Sequence, residues 1–136
     1  MPGYSGTPLP QKLGIKHGSR VALIGAPASF RRQLGTLPDG VTFRTRAVGP
    51  VELAVWFVTS QRQLASRIAA MAGLATGLWI AWPKKASGVA SDLSDAEVRA
   101  AGLAHGLVDY KVCAIDDTWS GLKFARRNEK RKRGTT

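Results

Sequence analysis

The sequence predicts an α/β fold: a mostly parallel sheet with helices on both faces, ending in a C-terminal antiparallel hairpin. Residues 51–58 (VELAVWFV) and 78–82 (LWIAW) are almost continuously apolar, as strands covered on both faces are. A capping signal and a helical repeat of apolar residues stand after the first of these runs, and a second capping signal follows the other. Near the C-terminus, the polar turn DDTWSG separates two further strand-like runs. Strand and helix thus alternate before the hairpin, and such alternation builds a parallel sheet between helical layers.

Residues 1–16 are rich in Gly and Pro and poor in large apolar groups, which reads as an arm with a short helical turn over 8–13. Residues 21–24 (VALI) form a buried strand that leaves the sheet at Gly25-Ala26-Pro27. In the short helix that follows, Phe30 and Leu34 share one face, Arg31 and Arg32 point elsewhere, and Gly35 supplies the stop. Residues 41–46 alternate, with Val41, Phe43 and Thr45 on one side and Thr42, Arg44 and Arg46 on the other, as in an edge strand wetted on one face. Only residues 47–50 then lead to the strand at 51–58. That is about 13 Å of chain at ~3.3 Å per residue, too short for the helical crossover that joins parallel neighbours. The second strand is therefore expected to be antiparallel or displaced, and the strand order across 41–58 stays open.

Ser60 with Gln63 forms a capping box, and Leu64, Ile68 and Met71 recur at helical spacing, so a helix runs from 61 to about 72. The strand at 78–82 stops at Pro83. Ser94 with Glu97 is a second capping box, stapled by Leu93 and Val98, and Gly106 ends that helix. Residues 108–115 and 122–126 make the hairpin.

A chain of 136 residues fits one domain and buries enough surface to fold without disulfides or metal. Apolar residues make up 44% and charged residues 21%, the balance of a folded soluble protein. Cys113 is the single cysteine, so no intrachain disulfide forms. With no signal-like start and no apolar run long enough to span a bilayer, the expectation is a soluble protein in the reducing cytoplasm. The net charge of +11 is uneven: Arg126, Arg127, Lys130, Arg131, Lys132 and Arg133 face only Glu129 in the tail. The chain is divided accordingly into an N-terminal arm (1–18), an α/β domain (19–127) and a basic disordered tail (128–136).

A strand ending in glycine, a strand-helix-strand ending in proline, then a helix and a closing antiparallel hairpin resemble the three-layer Rossmann-like methyltransferases. At residue level, YSGTPLPQKLGIK (4–16), WPKKASGV (82–89) and KVCAIDDTWSGLKF (111–124) resemble a bacterial family of unassigned function, so this second likeness carries no activity with it. The first implies S-adenosylmethionine as cofactor, held by a glycine-rich turn after the first strand and an acid after the second. This chain departs from both. Its turn has one glycine and a proline that lacks an amide donor, and its second strand carries Thr42, Arg44 and Arg46 without an acid.

In open α/β sheets ligands bind outside the carboxyl ends of the strands. Here those ends are 25–27, 59–60 and 83–88, three loops expected to cluster. Gly25, Ala26, Thr59, Ser60, Lys84, Lys85, Ser87 and Gly88 are the candidate ligand residues. Lysine charge, a hydroxyl and close backbone suit a small anion. The plainer reading of Lys84 and Lys85 is solvated loop charge, and GxxxxGK[ST] is absent. The leading reading is a protein that binds a small anionic ligand without catalysis, its cofactor unassigned. The alternatives are a divergent S-adenosylmethionine-dependent methyltransferase, or nucleic-acid binding through the tail at Arg126, Arg127, Lys130, Arg131, Lys132 and Arg133. The tail lacks aromatics for base stacking, so any such binding is salt-dependent and weakly selective.

No catalytic constellation emerges. Asp116 and Asp117 fit turn chemistry better than cation binding. Cys113 lies in an apolar strand as an inert thiol. His17 and His105 have no partner in sequence, Ser120 to Lys123 matches SxxK without its companion motifs, and metal-ligand spacing is missing.

Overall fold

The computed structural model describes residues 7–126. The element order is α1 (Leu9–Leu13), β1 (Arg20–Ile24), α2 (Phe30–Leu34), β2 (Thr42–Arg44) and β3 (Val51–Phe57). There follow α3 (Gln61–Ala72), β4 (Ala75–Pro83), a 3-10 turn at Lys85–Ser87, α4 (Asp95–Ala104), β5 (Leu107–Ala114) and β6 (Trp119–Arg126). The six strands form one sheet in the order β2-β1-β3-β4-β6-β5. The first four are mutually parallel, whereas β6 runs antiparallel to both β4 and β5. The mostly parallel sheet with its antiparallel C-terminal pair is the fold class the sequence predicts. That β6 wedges between β4 and β5, leaving β5 at the edge, is a tertiary outcome.

The period of two along β3 and β4 divides the core. Ala54, Trp56 and Val58 join Leu78, Ile80 and Trp82 against Leu64, Ile68 and Met71 of α3 and Val98 of α4. On the other face Leu53, Val55, Phe57, Trp79 and Ala81 meet Leu13 of α1 and Phe30 and Leu34 of α2. Both faces are covered, which is why these strands read as unbroken apolar runs.

β2 settles the open strand order. It is parallel to β1, with Arg20 opposite Thr42 and Ala22 opposite Arg44, and it lies on the far side of β1 from β3. The antiparallel option is thereby corrected, while displacement is right. The reason is length. The strand stops at Arg44, level with Ala54, so residues 45–50 make the link, about 20 Å of chain at ~3.3 Å per residue, against about 14 Å for two strand spacings across and three residues back along the strands. The link passes on the α3 face, where Ala47 packs against the core. Gly49 comes so near β4 that an added Cβ would lie 2.7 Å from the Leu74 carbonyl oxygen.

α1 is short but firmly docked: Leu13 is fully buried, and its carbonyl accepts the indole N–H of buried Trp79 at 2.9 Å and Lys123 Nζ at 3.1 Å. Cations and donors at a helix C-terminus satisfy carbonyls that the helix itself leaves open.

Candidate functional site

The parallel register puts Ile24 opposite Trp56 and Phe57 opposite Ala81, so β1, β3 and β4 end along one edge and their following loops are neighbours. Gly25 turns the chain out of β1 at φ 71°, and a Cβ there would approach the Phe57 carbonyl oxygen to 3.0 Å. Glycine is required on both counts. On the α2 side this edge is walled by rings: Phe57 meets Phe30 and Trp119 edge-to-face, each at 5.0 Å between centroids. Phe30 and Phe57 are buried, so the polar chemistry stands on the rim.

Thr59 and Ser60 are spent largely on starting α3. Ser60 Oγ accepts the Gln63 amide at 3.1 Å, and Gln63 Oε1 accepts the Thr59 amide at 2.9 Å, so the return arm of the expected capping box reaches one residue earlier than predicted. Asp92 closes the remaining approach: its Oδ1 accepts the Gln61 amide at 2.8 Å, and its carbonyl accepts Gln61 Nε2 at 2.9 Å. A carboxylate therefore already occupies the positive end of α3. The lysines of this edge stand on the loop after β4. There Lys84 is half-buried and its amide donates to the Thr118 carbonyl at 2.8 Å, which ties the loop to the hairpin turn. Lys85 is exposed, Ser87 Oγ accepts the Val89 amide at 3.1 Å and keeps its own proton to donate, and Gly88 turns the chain at φ 83°. The second capping box is complete. Hydrogen bonds from Ser94, and more weakly the charge of Lys85, hold the Glu97 carboxyl below its ordinary range.

At the carboxyl end of β2, where the resemblance implies an acid, the side chains are cationic. Arg44 donates to the Val48 carbonyl at 3.0 Å, Arg46 is exposed, and Arg31 of α2 lies 4.0 Å over the Phe43 ring.

Asp116 is a turn residue, its Oδ1 accepting the amides of Thr118 and Trp119 at 2.8 Å each. Asp117 is exposed beside it. Burial pushes the half-buried Cys113 thiol above its usual range, against the smaller opposing pull of Lys12, Lys111 and Lys84, so it stays protonated at neutral pH. His105 Nδ1 lies 3.0 Å from the Ala101 carbonyl at the end of α4, and His17 precedes β1 at the opposite end of the sheet. Ser120 and Lys123 are three apart on β6 and so point to opposite faces. Among the described residues no group of His, Cys, Asp or Glu is arranged to hold a metal ion, and no helix is long and apolar enough to cross a membrane. Of the tail, Arg126 donates to the Gly73 carbonyl at 3.2 Å. Arg127, Lys130, Arg131, Lys132 and Arg133 lie outside the described residues.

Two features of this edge escape a linear reading. Asp92 reaches Gln61 across 31 residues, and the ring wall unites Phe30, Phe57 and Trp119 from three elements. Their only signal is residue type, since an aspartate before a capping box and isolated aromatics are common in loops and strands alike.

No protein-family model and no curated protein matches the chain. Solved structures do. Magnesium protoporphyrin IX methyltransferase from Synechocystis PCC 6803 with bound SAH superimposes with a TM-score of 0.57 at 14% identity, covering 81% of this chain and 75% of that one. A SAM-dependent methyltransferase from Aquifex aeolicus gives 0.52 at 13% identity, covering 84% and 85% respectively. At such identities the likeness establishes the Rossmann-like methyltransferase fold.

Proposed function

We propose that this chain is a divergent member of the methyltransferase fold that binds an S-adenosyl compound outside the carboxyl ends of β1, β3 and β4. The observation that carries the reading is the sheet, with parallel β2-β1-β3-β4 followed by antiparallel β6, in a chain that superimposes over most of its length on two methyltransferases. Open sheets of this kind offer their binding crevice at that edge. Gly25 and Ala26 line it by close backbone, Thr59 and Ser60 hold its floor through the α3 caps, and Lys84, Lys85, Ser87 and Gly88 form its charged rim.

The residues fit one end of such a compound and not the other. The amino-acid carboxylate suits two lysines and a free hydroxyl proton. The ribose hydroxyls meet Arg44 and Arg46 at the β2 end instead of an acceptor carboxylate. Binding through the anionic end is therefore the activity proposed, which joins the small-anion reading to the methyltransferase one, and no transfer step is assigned.

Calorimetric titration of the full chain with S-adenosylhomocysteine and S-adenosylmethionine tests this. Binding is expected, with Lys84→Ala plus Lys85→Ala weakening it about tenfold or more, the worth of a charged hydrogen bond. Silence at millimolar ligand, or equal affinity in the double variant, would overturn it.

A further inference from the structure

A recess of about 570 Å³ lies at the other end of the sheet, at the amino ends of β1, β3 and β4 on the α1 face. Its wall combines cations with an exposed ring. Lys16 and His17 come from the loop before β1, Thr76 and Gly77 from β4, Tyr110 from β5 and Lys123 from β6. That volume falls within the ordinary range for small-molecule sites, roughly 300–1,000 Å³.

Lys123 is built into this recess rather than left on the surface. A Cβ on Gly14 would lie 2.6 Å from its Nζ, and one on Gly77 would lie 3.1 Å from its Cε, so two glycines clear its path. Its ammonium donates to the Leu13 carbonyl at 3.1 Å and stands 5.8 Å from the centres of both the Trp79 and Tyr110 rings. One acceptor leaves ammonium protons unspent. Burial lowers the Lys123 pKa, and the charges of Lys111 and Lys16 lower it further, so both of these cations are near enough to act on Lys123. An anion among them would relieve that repulsion. Glu52, the acid in the wall, is committed to Arg20 through a 2.6 Å ion pair. Tyr110 is 58% exposed at the register irregularity of β5 between Asp109 and Lys111, and its ring lies beside Lys123.

We propose that this recess is a second ligand site, for a phosphate-bearing compound with a planar ring, of the size of a nucleoside monophosphate. Lys123 and Lys16 take the phosphate as point charges, and Tyr110 stacks on the ring. The site is separate from the carboxyl edge and does not depend on the reading given for it.

Titration of the full chain with adenosine 5′-monophosphate, adenosine and inorganic phosphate, followed by calorimetry and by backbone NMR shifts, tests the proposal. The monophosphate is expected to bind at least tenfold more tightly than adenosine, with shifts at Lys16, Gly77, Tyr110 and Lys123. Lys123→Met should weaken it about tenfold or more, and Tyr110→Ser about tenfold. Lys16→Gln, at an exposed position with no packing role, should weaken it several-fold and keeps the test valid if Lys123→Met fails to fold. Lys84→Ala with Lys85→Ala should change nothing. Saturating S-adenosylhomocysteine should not compete. No binding at millimolar monophosphate, undiminished binding in Lys16→Gln and Tyr110→Ser, or shifts confined to the carboxyl edge would each overturn the second site. Failure of S-adenosylhomocysteine alone to bind would overturn only the carboxyl-edge reading.

Discussion

Gly102 offers a sharp test of how α4 is seated. In the interior of a helix, Gly→Ala should be stabilising by about 1 kcal/mol, because alanine loses less backbone entropy. Here the helix lies directly on β6: a Cβ at position 102 would fall 2.3 Å from Phe124 Cε2, 2.8 Å from Cδ2 and 2.9 Å from Cζ. Phe124 is fully buried, so its ring moves only by displacing its neighbours. Overpacking of this kind costs about 1–3 kcal/mol, and more where a rigid ring must move. The clash should therefore win, with Gly102→Ala destabilising by about 1–2 kcal/mol net. For a domain of this size that lowers Tm by about 3–8 °C. Thermal and urea denaturation would measure it. Phe124→Leu removes two of the three clashing atoms, Cε2 and Cζ, and leaves a flexible side chain in place of the ring, at its own cavity cost of about 1–2 kcal/mol; in that background Gly102→Ala should become neutral or stabilising. The cycle thus predicts a coupling of about 1–3 kcal/mol. A Tm for Gly102→Ala at or above the parent's, or strictly additive effects, would refute the close helix-sheet contact.

Two further outcomes follow from the α1 face. Trp79→Phe deletes the 2.9 Å indole bond to the Leu13 carbonyl, which keeps Lys123 as donor; the expected loss is about 1–3 kcal/mol, with faster hydrogen exchange at the Gly14 and Ile15 amides, and unchanged exchange would count against the anchor. The Arg20 guanidinium and amide hold the Glu52 carboxyl down to about 2, from an ordinary 4.5. A depressed folded value means the stabilisation is whole above pH 4.5 and fades as pH falls toward 2. Glu52→Gln should remove that part of the acid dependence, and a carboxyl titrating near 4.5 by NMR would contradict the pair.

Most of the architecture is written locally. The apolar runs at β3 and β4 are continuous because both faces are covered, Ser60 and Ser94 announce α3 and α4 through hydroxyls that accept helix amides, and Gly25 marks the exit from β1 because only glycine takes that turn beside the Phe57 carbonyl. Residue type and spacing suffice there, since each signal is a neighbour acting on its own backbone. They also suffice to show that the β2 end is cationic, whatever the fold does.

What depends on contacts between distant segments was not legible. The position of β2 turned on three residues of strand and six of link, a difference no periodicity resolves. Asp92 at the start of α3, the insertion of β6 between β4 and β5, and the clash that reserves position 102 for glycine all arise from packing across 22 to 48 residues. The same holds for the amino-end recess. Lys16, Tyr110 and Lys123 are unremarkable in the chain, a loop cation and two residues of a hairpin. They become a site only when the sheet brings β5 and β6 alongside the loop before β1, because charge and ring must share one space before either can hold a ligand.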